Sequence, residues 1–132
     1  MKANLILYVK DQHVSTVFFQ KVLTISPELN VPGMTEFRLN DETVLGLMPE
    51  AGIKRLLGDI LPDPEKANGV PRAEVYLTVD DPAAFHKRAL DNGATELSPL
   101  EPRGWGDDAA YSLAPDGHVI VFARKTQGSS QT

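Results

Sequence analysis

The sequence predicts an α+β protein built from two tandem βαβββ modules, and two observations carry this prediction. A strand-like apolar segment ends twice at an aspartate that is placed to cap a helix, at Val9-Lys10-Asp11 and at Val79-Asp80-Asp81. A polar turn leads into an apolar strand in each half, at Asn40-Asp41-Glu42 and at Pro115-Asp116-Gly117. Because these signals recur in the same order, the chain is expected to repeat one unit of roughly sixty residues.

The first module is predicted to hold four strands and one helix. The helix begins after its N-cap Asp11, and its apolar residues recur at helical spacing. These are Val14, Val17, Phe18, Val22 and Leu23. Pro27 and Pro32 limit the second strand to a short, irregular or edge strand, since proline has no N–H to donate. The strands are expected at Asn4–Lys10, between Ile25 and Val31, at Thr35–Asn40 and at Thr43–Met48, the first and last of them buried.

The second module repeats this pattern. Its helix follows the N-cap Asp81, carries Pro82 at the first helical position, and ends at Asn92-Gly93. Pro99 and Pro102 are expected to end the strand after the helix. The strands are predicted at Ala73–Val79, Thr95–Leu100, Ala109–Ala114 and His118–Arg124.

These elements predict a single domain at residues 1–125. Module one covers 1–50 and module two covers 70–125. The connector 51–69 combines apolar residues at helical spacing with a loop rich in proline, and it is a candidate lid over a site. The tail 126–132 has no apolar residue and is expected to be disordered.

Composition excludes several classes of partner. The net charge of -5 argues against binding to nucleic acid or to an anionic membrane, since both require a basic face. No apolar stretch approaches the length of a membrane span. The chain has no cysteine and no signal-peptide pattern at its start, so the cytoplasm is the expected location.

Three segments resemble the vicinal oxygen chelate superfamily, which contains glyoxalase I, extradiol dioxygenases, and fosfomycin- and bleomycin-resistance proteins. They are Leu7–Asp11 (LYVKD), Tyr76–Asp81 (YLTVDD) and Tyr111–Ile120 (YSLAPDGHVI). The resemblance implies that the modules curl into a cup-shaped open barrel with the helices outside and a cavity inside. It also implies a homodimer. In character the chain is most similar to the bleomycin-resistance proteins.

The resemblance also indicates where a metal would be bound. Metal-binding members take one ligand from each of four strands, and the matching positions here are Asn4, Gly46, Glu74 and Val121. Only Glu74 offers a carboxylate or imidazole of the kind that such a metal site requires. The sequence therefore predicts no metal and no other cofactor.

The same positions predict the lining of the cavity. Side chains alternate along a strand, so residues two positions away from the four metal positions are expected to face inward as well. This inner face is apolar and aromatic, which is typical of a pocket for an organic molecule. The predicted ligand-binding residues are Tyr8, Phe37, Met48, Glu74, Tyr76, Trp105 and Val121.

Trp105 lies between two glycines, and this arrangement is expected to leave it on a mobile loop. One interpretation is that it stacks on a flat ligand. The other is that it closes the end of the barrel or the dimer seam.

Three charged segments have open interpretations. Glu74 could bind a ligand cation, act as a general base, or form a salt bridge with Arg38 or Arg72. Asp107-Asp108 could attract a cationic ligand or form an exposed turn. Arg103 could bind an anionic ligand.

The leading hypothesis is a metal-free protein that sequesters an aromatic or antibiotic-like molecule in a pocket associated with the dimer. A second hypothesis is a glyoxalase-type lyase, isomerase or dioxygenase with a degenerate metal site around Glu74. A third is a non-catalytic interaction module. Whether the protein is an enzyme stays open, because one fold serves many activities.

Overall fold

The computed structural model describes residues 1–127, which form parts of two compact units, Met1–Asn68 and Gly69–Thr132. The first unit contains β1 (Ala3–Val9), α1 (Gln12–Leu23), β2 (Leu29–Val31), β3 (Met34–Asn40), β4 (Thr43–Pro49) and α2 (Glu50–Leu57), followed by two short 3₁₀ helices, Gly58–Ile60 and Pro64–Ala67. The second contains β5 (Glu74–Thr78), α3 (Pro82–Asp91), β6 (Thr95–Pro102), β7 (Asp107–Leu113) and β8 (Val119–Lys125).

Each unit holds one four-stranded sheet, and the two sheets have the same topology. The strand order is β1-β4-β3-β2 in the first and β5-β8-β7-β6 in the second. In each, the opening strand pairs in parallel with the closing strand, and the other pairs are antiparallel. This arrangement confirms the predicted α+β class and the two βαβββ modules.

The predicted helix starts are confirmed by their capping bonds. The Asp11 Oδ1 atom accepts a hydrogen bond from the Val14 N–H at 3.0 Å. In the second unit, Asp81 Oδ1 accepts from the Ala84 N–H at 3.2 Å. Each aspartate pairs one of the backbone donors that the first turn of a helix leaves without a partner. The repeat is therefore visible in single hydrogen bonds as well as in topology.

The apolar stripe of α1 differs from the predicted one. Its buried residues are Ser15, Thr16, Phe18, Phe19, Val22 and Leu23. Val14 and Val17, which were expected in the core, are exposed. The stripe is centred between Phe19 and Val22, so at about 100° per residue Val14 lies roughly 110° from this centre and Val17 roughly 170° from it, on the opposite side of the helix.

Strand β1 is buried only at the C-terminal end of one face. Leu7 and Val9 belong to the core, whereas Leu5, Ile6 and Tyr8 are exposed. The prediction of a fully buried strand is wrong because β1 lies at the edge of its sheet, where only β4 adjoins it. The expected short edge strand, by contrast, is confirmed as β2.

Strand β6 extends past Pro99, the first of the two prolines that were expected to end it. It runs to Pro102, and its pairing with β7 shifts between Glu96 and Ser98 and again between Ser98 and Glu101. This strand is also at a sheet edge, so Pro99 and Pro102 can point their donor-free nitrogens away from the ladder. The shifts in register accommodate the prolines, which have no N–H to donate to β7.

The connector contains the predicted helix, but it buries little of its apolar surface. Ile53 is buried, whereas Leu56 is 70% exposed and Ile60 is 94% exposed. The Lys54 ammonium donates to the carbonyls of Gly58 and Leu61, which ties the end of α2 to the chain that follows. The function of this segment as a lid stays a prediction.

The end of the described chain continues from β8. Thr126, which was assigned to the expected disordered tail, donates through its N–H to the Gly106 carbonyl and through its hydroxyl to Asp108. The tail residues 128–132 lie outside the described residues. Within residues 1–127, no helix is long and apolar enough to cross a membrane.

Candidate functional site

The face of the second sheet that lies opposite α3 brings three predicted site residues together. Glu74 on β5 is the register partner of Val119 on β8, and Tyr76 is the partner of Val121. Val121 is also the partner of Tyr111 on β7. Register partners point to the same side of a sheet, so two phenol rings flank Val121 and a carboxylate lies one row away.

Val121 forms the floor of this face and has no exposed surface. It is fully buried together with Ala109 and Ala123, and the rings of Tyr76 and Tyr111 pack against this cluster. Val121 was predicted to contact a ligand directly. The structure instead places it beneath the two tyrosines, which shield it, so a ligand on this face would contact the rings.

A chain of hydrogen bonds joins three side chains above this floor. The Trp105 indole Nε1–H donates to the Tyr76 hydroxyl at 3.0 Å, and the Tyr76 hydroxyl donates to Asp107 Oδ2 at 2.5 Å. The indole is 59% exposed, so its one polar atom is anchored while its ring faces solvent. The loop around Trp105 was expected to be mobile, and the structure adds one side-chain hydrogen bond that links it to Tyr76 on β5.

The acidic pair after Trp105 begins strand β7. Asp107 and Asp108 are both partly buried. Asp107 accepts the Tyr76 hydroxyl, and Asp108 accepts the Thr126 hydroxyl at 2.7 Å. The interpretation of an exposed acidic turn is wrong because both carboxylates have structural partners. No local pattern signalled this, since Tyr76 and Asp107 are 31 residues apart in the chain.

Arg103 braces the irregular edge strand. Its guanidinium donates to the Ala109 carbonyl at 2.8 and 3.1 Å, to the Ser98 hydroxyl at 2.8 Å and to the Pro99 carbonyl at 2.8 Å. It also pairs with Glu101 at 3.1 Å. These bonds replace ladder bonds that β6 loses at its prolines. The guanidinium is thus committed to the protein, and the structure gives no support to an anion site at this residue.

Both tyrosines of this face are held in the neutral form. Burial raises the pKa of the Tyr76 phenol above its ordinary 10.0, and the bond to Asp107 raises it further. Burial also raises the pKa of Tyr111, and the charge of Glu74 adds to this effect while Arg103 opposes it. At neutral pH the two hydroxyls therefore serve as hydrogen-bonding groups.

These raised pKa values predict a loss of stability in alkali. A phenol whose folded-state pKa exceeds its unfolded value contributes stability that is complete below about pH 10 and is lost as the pH rises through the folded-state pKa. We expect the free energy of unfolding to fall over this range, and to fall less in Tyr76→Phe and least in Tyr76→Phe/Tyr111→Phe. Urea titrations at stepped pH, with tyrosinate absorbance of the folded protein, measure both quantities. Equal slopes for all three proteins would contradict the assignment.

Glu74 is exposed and lies on the same face as Tyr111. Its proposed salt bridge with Arg38 is wrong, because Arg38 Nε donates to both carboxylate oxygens of Glu28 at 3.0 Å. In the described part of the chain, no ion pair joins Glu74 to Arg72 either. Its carboxylate is therefore available to a ligand, and its role as a general base stays a prediction.

The first unit carries two further predicted residues on one face. Tyr8 on β1 is the register partner of Met48 on β4, and their neighbours one row away are Ile6 and Gly46. Tyr8 is 38% exposed. A Cβ atom added to Gly46 would lie 3.0 Å from Ile6 Cγ1, so glycine keeps this part of the face flat.

Phe37 is a correction to the predicted site. It is fully buried, and its ring centroid lies 6.4 Å from that of Phe19 on α1. Its register partner is Leu45, which is also fully buried. Phe37 thus points to the helix side of the sheet, away from the face of Tyr8 and Met48, because the register of β3 places it there.

The residues present do not fit the divalent metal of the metal-binding superfamily members. In the first unit the matching positions hold Asn4 and Gly46, and in the second they hold Glu74 and Val121. Val121 is apolar and fully buried, and Gly46 offers no side chain. Among residues 1–127, no three or more His, Cys, Asp or Glu side chains are grouped as metal ligands. Two of the histidines have carboxylate partners, Glu96 for His86 and Asp116 for His118.

A shallow depression of about 380 Å³ adjoins the start of α1, and the sequence did not indicate it. It lies between this helix and the β2–β3 turn. Gln12 braces it, donating to the Val31 carbonyl and the Thr35 hydroxyl and accepting from the Gly33 N–H. The lining residues are Asp11, Gln12, His13, Thr16, Asn30, Val31 and Pro32.

Comparison with known sequences finds distant relatives. No known family profile matches the chain. The uncharacterized protein Mb0911c of Mycobacterium bovis is 30% identical over 118 residues, which cover 85% of this chain and 75% of that protein. The uncharacterized protein Rv0887c of Mycobacterium tuberculosis is 30% identical over 118 residues, covering 85% of this chain and 67% of its own.

Solved structures share the fold. A glyoxalase-related enzyme from Fulvimarina pelagi superposes with a TM-score of 0.80 at 19% identity, over 95% of this chain and 88% of that one. A glyoxalase/bleomycin resistance protein/dioxygenase family enzyme from Burkholderia phytofirmans PsJN gives a TM-score of 0.75 at 16% identity, over 93% of this chain and 97% of that one. These structures confirm the resemblance at the level of the fold.

Proposed function

We propose that this chain, which belongs to one family with the mycobacterial proteins Mb0911c and Rv0887c, is a metal-free protein that binds and sequesters an aromatic small molecule. Its fold is the glyoxalase/bleomycin resistance fold of the vicinal oxygen chelate superfamily. The observation that carries the proposal is the exposed Trp105 ring, anchored by its indole nitrogen beside Tyr76. An exposed aromatic ring beside a hydrogen-bonding hydroxyl suits stacking on a flat molecule.

The ligand would contact the aromatic face of the second unit. Trp105 supplies the stacking surface, Tyr76 the hydroxyl, and Glu74 an available carboxylate on the same sheet face. Tyr8 and Met48 remain proposed contacts in the first unit, where they lie side by side. We further propose that the protein acts as a cytoplasmic homodimer whose association contributes to the pocket, and that its ligand is antibiotic-like.

Substitution of Trp105 tests this function. We expect Trp105→Ala to weaken binding of an aromatic antibiotic about tenfold, equivalent to ~1.4 kcal/mol, through loss of stacking and buried area. A panel of such compounds would first be screened by quenching of the single tryptophan and by the rise in Tm. Hits would then be measured by calorimetry on wild type, Trp105→Ala and Trp105→Phe.

The control is Leu56→Ala, which removes a comparably exposed apolar side chain from α2. It should leave both the Tm and the affinity unchanged. Equal affinities for wild type and Trp105→Ala would remove Trp105 from the site. No quenching and no thermal shift across the panel would refute sequestration of those compounds.

An enzyme is the second candidate, because the similar structures from Fulvimarina pelagi and Burkholderia phytofirmans PsJN are both named as enzymes. For this chain the four matching positions do not supply a metal site, so such an activity would need a different donor set. Metal analysis of protein purified without chelators tests it. Stoichiometric Zn, Ni, Mn or Fe, together with a thermal shift on adding the metal, would favour the enzyme over the binding protein.

A further inference from the structure

We propose that the Trp105–Tyr76–Asp107 hydrogen-bond chain is an exchangeable latch, so that the site prefers aromatic ligands whose own N–H group can replace the indole as the donor to the Tyr76 hydroxyl and can also reach the Asp107 carboxylate. This inference rests on the proposed function, since it concerns the same aromatic face. It adds the chemical class of the ligand, which is a flat aromatic ring bearing a protonated primary amine.

The latch can open because, in the described part of the chain, one side-chain hydrogen bond holds the indole. Trp105 is 59% exposed, and the bond to Tyr76 fixes its polar atom at 3.0 Å. Gly104 and Gly106 flank it, and Gly106 has a φ of +93°. The backbone at Gly106 is bonded to the Arg103 carbonyl and to the Thr126 N–H, so the indole leaves by rotation of its own side chain, and the open space beside Gly104 leaves room for this movement. Opening therefore exchanges one neutral hydrogen bond for a bond to water or to a ligand.

What lies beneath the indole is a set of acceptors. When the indole leaves, the Tyr76 oxygen loses its donor while still donating to Asp107. The nearby charges are the Asp107 carboxylate and Glu74, which lies one row along β5. Two cationic side chains lie near these carboxylates: Arg103, which is committed to Ser98, Pro99 and Ala109, and Lys125, the exposed register partner of Asp107.

The charges around Tyr76 favour a cationic ligand over an anionic one. An anion would meet two carboxylates, with the guanidinium already in use and only the exposed Lys125 ammonium to offset them. A protonated amine can donate to Tyr76 and Asp107, and a bond that involves a charged group is worth more than the neutral indole bond it replaces. The released indole is then free to stack on the attached ring.

The first experiment needs no ligand. Trp105 is the only tryptophan, so its indole N–H gives a single resonance in a ¹⁵N-labelled sample. We expect Tyr76→Phe to move this resonance upfield and to speed its exchange with water about fivefold, the equivalent of ~1 kcal/mol for one lost hydrogen bond. Tyr111→Phe is the matched control, since Tyr111 lies on the same face and has no bond to the indole in the structure. Equal exchange in wild type and Tyr76→Phe would overturn the latch.

The second experiment tests the ligand class with a matched pair of probes. Naphthylmethylammonium carries three N–H donors, whereas its N,N,N-trimethyl derivative has the same charge and ring and none. Calorimetry should show the primary ammonium binding at least about tenfold more tightly, as expected for a hydrogen bond to a charged group. The difference should shrink in Asp107→Asn.

The outcomes separate this inference from the function on which it rests. If both probes bind equally, or the trimethyl probe binds more tightly, aromatic binding stands and the selection for a donor is wrong. If neither probe binds, both the selection and the proposed aromatic site are refuted for this ring. If the primary ammonium alone binds and the indole resonance shifts as it does so, both proposals are supported.

Discussion

Replacing Phe37 with alanine is expected to lower the free energy of unfolding by about 3–5 kcal/mol, because the substitution leaves a large cavity in the core of the first unit. The Phe37 ring is fully buried against Phe19, and its register partner Leu45 is fully buried as well. These neighbours belong to a strand and a helix that cannot close the cavity without moving. Urea or thermal unfolding measures the change.

Two controls show whether burial is the cause. Phe37→Leu keeps most of the volume and should cost about 1 kcal/mol. Leu56→Ala deletes an exposed side chain from the same unit and should be neutral within ~0.5 kcal/mol. The affinity of Phe37→Leu for any ligand that binds wild type should be unchanged. Lost affinity with unchanged stability would restore Phe37 to the site and contradict its place in the core.

The error over Phe37 shows what strand alternation can and cannot decide. Because side chains alternate along a strand, the sequence shows that neighbouring residues face opposite sides of a sheet. It does not show which of the two sides faces the helix. For β4 the sequence correctly separated Leu45 and Leu47 from Gly46 and Met48. For β3 the answer depends on its register with β4, which shifts between Arg38 and Asn40. A shift of this kind cannot be seen in a single sequence.

The repeat itself was predictable because its signals are local. Asp11 and Asp81 cap helices through bonds to residues three positions ahead, so the pattern is complete within one turn. The Pro115-Asp116-Gly117 turn is equally self-contained. The topology follows from placing these units in order, and the comparisons with solved structures confirm it.

The candidate site could be predicted only in part. Tyr76, Val121 and Glu74 were correctly assigned to one face, because alternation and the parallel pairing of β5 with β8 suffice for that. The bonds of Tyr76 to Trp105 and Asp107 join positions 29 and 31 residues apart and depend on how β6 crosses its prolines. Arg103 stabilises this course of β6 by its hydrogen bonds to Ser98 and Ala109. No pattern in the sequence predicts these bonds.

Gly117→Ala is expected to destabilise the second unit by about 3 kcal/mol, and two effects add to give this value. Gly117 has a φ of +103°, which costs an L-residue roughly 1–2 kcal/mol. The added Cβ would also lie 2.7 Å from Gly69 Cα and even closer to the Gly69 carbonyl oxygen. Both are backbone atoms, so relief requires the hairpin turn to move away from the chain at Gly69, at a further cost of about 1–3 kcal/mol.

Two other glycines separate these effects. Gly33 has a φ of +95° but nothing within 4 Å of an added Cβ, so Gly33→Ala should show the conformational cost alone. Gly104 also has open space, and its φ lies outside the positive range, so Gly104→Ala should be neutral or slightly stabilising. Thermal unfolding of the three variants should therefore rank Gly117→Ala well below Gly33→Ala, and Gly33→Ala below Gly104→Ala. If Gly117→Ala and Gly33→Ala were equally stable, the contact with Gly69 would contribute nothing, and only the turn conformation would require glycine at this hairpin.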